Sequence, residues 1–219
     1  MTIGLKKKHF LQPDWPSGVH HDRIAEIVPY VSNKDVLDVG AANGYQRKDW
    51  VHAQLAKHAR RIVGIDIDAA AVAGARALGY DVRLVDAQSV DVGETFDVVF
   101  AGELIEHLSD FSGFLAAARR HLRADGLLVL TTPNAFSISN FVYRIGGKAK
   151  VHHEHTCWFC EDTLATLLHR SGFEVTETKY LRHQTPGRLR SFAARTVRGL
   201  LPDRVAWRTL LMTARVSRP

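Results

Sequence analysis

The stretch that decides the fold is Val36-Leu37-Asp38-Val39-Gly40-Ala41-Ala42-Asn43-Gly44-Tyr45. Val36 to Val39 reads as a short buried strand, because β-branched and apolar residues run together until a glycine stops them. Gly40 and Gly44 bracket a tight turn, and a helical pattern follows from about Gln46 to Ala59. In a strand–turn–helix unit such a turn lies at the carboxyl edge of a parallel sheet, where open α/β folds bind ligands. The spacing is G-x-x-x-G rather than the G-x-G-x-x-G of dinucleotide sites. Asp38, just before the turn, suits a ligand with a positive amino group and would repel a pyrophosphate.

Outward from this turn, strands and helices alternate. Residues 1–19 are irregular, and residues 20–31 form a helix with Ile24, Ile27, Val28 and Val31 on one face. After the turn, Trp50, Val51, Leu55 and His58 share a helix side, and His58 reads as a packed residue. Residues 61–66 form a second strand ending at Asp66, whose two carboxylate oxygens can accept both hydroxyls of a ribose. Asp68 is the N-cap of a helix over residues 69–78, closed by Gly79. Residues 81–85 are a third strand leading into Asp86-Ala87-Gln88. Residues 96–101 are a fourth, followed by Gly102-Glu103-Leu104-Ile105-Glu106-His107-Leu108. Ser109 caps a helix carrying Phe111, Phe114, Leu115, Ala118 and Leu122 on one stripe. Asp125-Gly126 turns the chain into a doubly buried strand at 127–132. A helix at 161–170 and strands at 173–181 and 209–216 complete the pattern, which predicts a doubly wound sheet ending in an antiparallel pair.

Five segments in this order carry a resemblance: D-V-G-A-A-N-G (38–44), V-G-I-D-I-D (63–68), V-D-A (85–87), F-D-V-V-F-A-G-E-L-I-E-H-L (96–108) and L-L-V-L-T-T-P-N (127–134). Together they resemble the class I S-adenosylmethionine-dependent methyltransferases over roughly residues 20–181. The resemblance implies an α/β, Rossmann-like, seven-stranded sheet of order 3-2-1-4-5-7-6 with the last strand antiparallel. It implies one domain over residues 1–219, with residues 1–33 as an N-terminal cap segment and 183–206 as a basic insert between the last two strands. It also implies S-adenosylmethionine as cofactor, bound by Asp38, Gly40, Ala41, Gly44, Asp66, Ile67, Asp86, Ala87, Gly102 and Glu103. In the family, Asp86 meets the adenine amine and Ala87 offers a backbone amide. As a bare sequence feature, Asp86 is equally a turn residue.

Transfer to a hydroxyl needs a proton acceptor or a metal near the tip of the fourth strand. The candidates for that role are His155, His107, Glu106 and His153. In an extended segment His153 and His155 would share one face and His152 and Glu154 the other. Cys157 and Cys160 with those histidines have the makings of a zinc site. However, the histidines are only two apart and Cys160 stands at a helix N-cap, so no metal ligands are assigned. A divalent ion such as Mg2+, held by Glu103 or Glu106 and orienting hydroxyls, stays open as an alternative. The G-E-L-I-E-H-L and T-T-P-N-A-F-S wording resembles enzymes that methylate small molecules, above all O-methyltransferases of cell-envelope saccharides, mycobacterial polysaccharides and mannosides included. Quinone or phenolic acceptors are the alternative, and a non-catalytic donor-binding partner protein is the alternative of another class.

With 219 residues, 46% apolar and 24% charged, the chain has the composition of a soluble globular domain. No apolar run is long enough to span a bilayer and the amino terminus lacks a signal-peptide core. Two cysteines make no disulfide framework, so a cytoplasmic setting is expected. The net charge of +6 is concentrated from Arg182 onward, where nine arginines face one acid. Within it, residues 188–201 have an amphipathic pattern, with Leu189, Phe192, Ala193, Val197 and Leu200 opposite Arg188, Arg195 and Arg198. A surface cover, a lid over the acceptor or peripheral contact with a membrane all fit this pattern. Aromatics do not interleave with the arginines, which argues against nucleic acid.

Overall fold

A computed structural model describes residues 19–89, 91–147, 151–181 and 200–217. Seven strands form one sheet: β1 (Asp35–Val39), β2 (Arg61–Asp66), β3 (Val82–Leu84), β4 (Phe96–Gly102), β5 (Leu122–Pro133), β6 (Phe173–Leu181) and β7 (Thr209–Val216). Their order is β3-β2-β1-β4-β5-β7-β6. Pairing from β3 through β5 is parallel, whereas β7 runs antiparallel to both β5 and β6. The expected architecture is therefore present.

The helices are α1 (Val19–Val31), α2 (Val51–Leu55), α3 (Ala69–Ala77), α4 (Phe111–His121), α5 (Ile138–Ile145) and α6 (Glu161–Arg170). Alternate residues of the inner strands serve opposite faces. Leu37, Val39, Val99, Ala101, Leu128 and Leu130 join Phe114, Leu115, Leu164 and Leu168 in one core, formed with α4 and α6. Val36, Val98, Phe100 and Val129 join Ile24, Ile27, Val31 and Leu55 in a second, formed with α1 and α2. This burial on both faces is why β1 and β4 read as continuous apolar runs rather than as alternating ones.

Local structure departs from expectation in five places. The helix after the β1 turn is only α2, because residues 43–49 make turns (Arg47 N–H to Gly44 O, 2.8 Å). Trp50 interrupts any longer helix: it is extended, 3% exposed, and its indole N–H donates to Ala41 O at 2.6 Å. His58 is exposed; the packed histidine is His52, at 1% exposure. α4 is capped by Asp110, which accepts from Gly113 N–H at 2.8 Å, while the Ser109 hydroxyl bonds Gln88 Oε1 instead. β5 continues through Asp125-Gly126, and α5 was not anticipated. The cap segment before residue 19 and the basic stretch 182–199 lie outside the described residues. Among the described residues no helix is long and apolar enough to cross a membrane.

At the amino ends of the strands, four charges clasp β1, β4 and β5. Asp35 bonds Arg60 Nε at 2.9 Å and Arg123 Nη2 at 2.7 Å, and Asp97 bonds the same two guanidinium groups at 3.0 and 2.6 Å. The hydrogen bonds from Arg60, then Arg123, hold the Asp35 carboxyl below the ordinary carboxylate range. A depressed folded pKa means that the unfolded chain binds more protons in acid. The stabilisation is therefore complete above about pH 4 and is lost as pH falls below it. Asp35→Asn should lower the melting temperature by a few degrees at pH 7, and the gap to the wild type should close in melts taken progressively below pH 4.

Candidate active site

The loop after β1 is held by backbone and by one side chain. Gly40 N–H and Ala41 N–H both donate to Ile65 O at the end of β2, at 2.8 and 3.0 Å. Asp66 Oδ2 accepts from Ala42 N–H at 2.8 Å, and its Oδ1 accepts from Asp68 N–H at 3.0 Å. Gly40 adopts φ +81°, and a Cβ there would stand 3.1 Å from Leu104 Cδ1, so a side chain would be strained by the backbone and crowded by Leu104. Asp68 caps α3 as expected, accepting from Ala70 and Ala71 N–H.

Asp38 is 3% exposed and bonds His52 Nδ1 at 2.8 Å. The His52 ring sits against Trp50 and Tyr80, with centroids 5.1 and 5.7 Å away. Sequence reasoning missed His52; its signal was its place among the buried positions following the turn, where His58 had been preferred.

The tip of β4 carries two buried acids. Glu103 is a non-glycine residue in the left-handed region (φ 54°), held there by its N–H to Thr131 O at 2.8 Å. Its carboxylate meets Arg23 Nη1 of α1 at 3.5 Å. Glu106 is 1% exposed; its Oε2 accepts from the Thr132 hydroxyl at 2.9 Å, while Oε1 has no partner. Burial raises the pKa of Glu103, partly offset by Arg23. Burial, and then the neighbouring charge of Glu103, push Glu106 well above the usual carboxylate range.

Residues 152–155 close a turn, with His155 N–H donating to His152 O at 3.1 Å. The expected extended pairing of His153 with His155 is thereby corrected: the turn brings His152 beside His155, and His153 projects outward with 51% of its side chain exposed. Thr156 stitches this turn to the β4 tip, with N–H to Glu106 O (2.8 Å) and hydroxyl to Leu108 O (2.6 Å). His107 thus meets His155 edge-on at 4.6 Å between centroids and His152 at 5.7 Å. Ligand-capable atoms of His107, His152 and His155 lie within 4.8 Å of one another. Burial, then His107 and His152, lowers the His155 pKa to about 4; burial, then His152, lowers that of His107. Cys157 and Cys160 are free thiols outside this cluster, and Cys160 occupies the N-cap position of α6 with its N–H on Thr163 Oγ1.

These elements enclose a cavity of about 560 Å³. It is lined by Asp38, Gly40, Ala41, Gly44, Asp66, Gly102, Glu103, Glu106, His107 and His155, all named from the sequence as site residues, by His152 and Glu154, named there only as sharing a face, and by Arg23, His52, Trp158 and Arg208, which were not named. Ile67, Asp86, Ala87 and His153 are not brought to its wall. Ile67 points to solvent at 71% exposure, and Asp86 Oδ1 accepts from Gln88 N–H at 2.9 Å, as a turn residue does. Arg23 left a signal too faint to use, a lone cation one position before Ile24 on an otherwise apolar helix face.

The methyltransferase-domain family pattern matches residues 9–178, and the chain belongs to this family of class I S-adenosylmethionine-dependent methyltransferases. A protein of Mycolicibacterium smegmatis named as a probable S-adenosylmethionine-dependent methyltransferase is 32% identical over 69% of this chain and 56% of its own length. A Mycobacterium tuberculosis protein of the same description is 31% identical over 67% of this chain and 51% of its own. The chain thus spans about half the length of these curated relatives. A ubiquinone biosynthesis O-methyltransferase of Nitrobacter winogradskyi is 25% identical over 71% of this chain and 62% of its own. In fold, the chain superposes on an S-adenosylmethionine-dependent methyltransferase of Clostridium acetobutylicum with a TM-score of 0.62, 9% identity, and 92% of each chain covered. The N-methyltransferase NodS of Bradyrhizobium japonicum gives 0.57 at 18% identity, covering 94% of this chain and 90% of its own.

The lowered histidine pKa values have a consequence for stability. An unfolded histidine takes its proton near pH 6.5, whereas His155 in the fold takes it near 4. The unfolded chain therefore binds more protons between those values, and this contribution to stability is lost as pH falls through the window. The raised pKa of Glu106 acts with the opposite sign, so a variant comparison is needed to isolate the histidine. Between pH 7 and 4.5 the melting temperature of His155→Asn should fall less than that of the wild type.

Proposed function

We propose that this chain transfers a methyl group from S-adenosylmethionine to a hydroxyl of a small molecule, with a sugar or oligosaccharide as the first acceptor class and a quinone or phenol as the alternative. One observation carries the reading: the glycine loop and the β4 tip, with its two buried acids and neutral imidazoles, line one cavity. The ubiquinone O-methyltransferases among the relatives support an oxygen acceptor and add weight to the phenolic class.

The donor fits the residues present. Gly40 and Gly44, both at positive φ, leave the loop backbone open to close approach. The Asp38 carboxylate would take the donor's ammonium group. Asp66 would take its ribose hydroxyls, since each oxygen already bonded to a backbone N–H keeps a second lone pair. When bound, S-adenosylmethionine supplies a methyl group made electrophilic by a positive sulfonium. The chain's task is then to align the acceptor, and alignment alone is worth roughly 7–11 kcal/mol.

His155 is the proposed base, with His107 and Glu106 orienting the hydroxyl. Its Nδ1 is buried without a partner, and its ring is neutral throughout the physiological range because its pKa lies near 4. What the ring gains in availability it loses in basicity. Burial raises the Glu106 pKa, which shifts this carboxyl toward its proton-donating form.

A second reading is favoured by the three imidazoles within 4.8 Å: a divalent metal on His107, His152 and His155, with the acceptor's hydroxyl ionised beside it. The two differ at His152. If His155 is the base, His155→Ala should lower kcat by about 10²–10⁴-fold, with donor affinity unchanged, and His152→Ala should have little effect. The wild-type rate should be level from about pH 5.5 to 8 and should fall only toward pH 4. If a metal is bound, His152→Ala and a chelator should each abolish turnover. Labelled donor offered with saccharide, quinone and phenol panels, with and without Mg2+ and chelator, decides both acceptor and metal. Separately, Asp66→Ala should weaken donor binding by at least tenfold in calorimetry, through the loss of charge-assisted hydrogen bonds. Unchanged affinity would remove the donor assignment.

A further inference from the structure

Half of the ten exposed large apolar residues among those described lie together. Phe136, Phe141, Val142, Tyr143 and Ile145 are 61%, 63%, 62%, 36% and 82% exposed, all within or just before α5. Single exposed apolar residues need no explanation, whereas a contiguous patch does. Within α5, Ile138, Phe141, Val142 and Ile145 follow the i, i+3, i+4, i+7 spacing of an apolar stripe that ordinarily faces a core. Here none of the helix's residues is buried.

The helix is attached by its other side. Asn140, opposite the stripe, donates from Nδ2 to Asn134 O at 3.0 Å and to Ala135 O at 3.3 Å. Asn134 in turn donates to Arg204 O and Trp207 O, both at 2.8 Å, in and just after the one-turn helix Asp203–Ala206. Asn140 also lines the cavity. The polar face of α5 is therefore fixed at the cavity rim, and the apolar face is turned out by these bonds.

The charge along the segment that carries the stripe has one sign. From Asn134 to Lys150 the sequence holds Arg144, Lys148 and Lys150 and no acid. Arg144 and Arg204 are exposed in the structure. An apolar stripe flanked by cations matches an anionic lipid surface, where the apolar side chains enter the acyl boundary and the cations meet headgroups. A second copy packed on the same face would set like charges against each other across the two-fold axis.

We propose that α5 is an interfacial helix that docks the protein reversibly on anionic bilayers through Phe141, Val142 and Ile145, with the cavity rim turned toward the lipid. This surface is independent of the proposed chemistry, and vesicle binding is read without acceptor or turnover. The full chain should co-float with phosphatidylglycerol/phosphatidylcholine vesicles, bind phosphatidylcholine vesicles far more weakly, and be released by salt as surface charges are screened. Phe141→Ser with Ile145→Ser should weaken partitioning on the order of tenfold or more, and Arg144→Glu should weaken it for anionic vesicles. Both variants change only exposed side chains, and melts should show that they are folded. No partitioning by the wild type would overturn the proposal. Undiminished partitioning by the double-serine variant would assign lipid binding to another surface and overturn it too. Dimerisation of the wild type, abolished by the double-serine change and without vesicle binding, would give the face to a second copy instead.

Discussion

The Asp66 carboxylate is the constraint on which the site's geometry depends. One oxygen holds Ala42 N–H from the loop after β1, and the other holds Asp68 N–H at the start of α3. The loop after β1, the end of β2 and the start of α3 are thereby set by one side chain, with Gly40 and Ala41 N–H fixed on Ile65 O beside it. Once the loop is pinned, Ala41 O is in place to accept the Trp50 indole N–H, and Trp50 in turn packs on His52. His52 then reaches back to Asp38. The loop is rigid because it is cross-linked at both ends, not because it is helical. That explains how a stretch with little regular structure can present backbone to a ligand without collapsing into the cavity.

The two edges of the sheet treat charge in opposite ways. At the amino edge, Asp35, Asp97, Arg60 and Arg123 satisfy one another pairwise. At the carboxyl edge, Arg23 Nε, His52 Nε2, Glu106 Oε1 and His155 Nδ1 are buried without hydrogen-bond partners, and all four residues line the cavity. Leaving such groups unpaired costs on the order of 1–3 kcal/mol each, which an ordinary core would not retain. The same atoms would be satisfied by a polar ligand. The stable edge holds the strands in register, and the costly edge awaits a partner.

The legibility of the sequence follows from how local each signal is. Burial of β1, β4 and β5 on both faces is written in their composition, so these strands and the ends of β1, β2 and β4 were readable, while the strand order came only with the family resemblance. Glu103, Glu106 and His107 were readable because they lie directly after β4. The choice between His152 and His153 was not, since it turns on one hydrogen bond, His155 N–H to His152 O, which converts an extended segment into a turn. The preference for Ser109 over Asp110 as a cap failed for a similar reason: Gln88, distant in sequence, takes the serine hydroxyl. α5 escaped notice because its stripe is short and, unusually, has no core to face.

The histidine turn and the acids behave as one unit because Thr156 ties them together through the carbonyls of Glu106 and Leu108. Movement of the turn must therefore move or break contacts at the β4 tip. Burial raises the Glu106 pKa, and burial with mutual repulsion lowers those of His155 and His107. Glu103 and its Arg23 partner form an ion pair beside them at the β4 tip. A cation bound nearby would favour ionised Glu106 and disfavour protonated imidazole, since opposite charges attract and like charges repel. Both shifts add negative charge or withhold positive charge as a cationic ligand arrives.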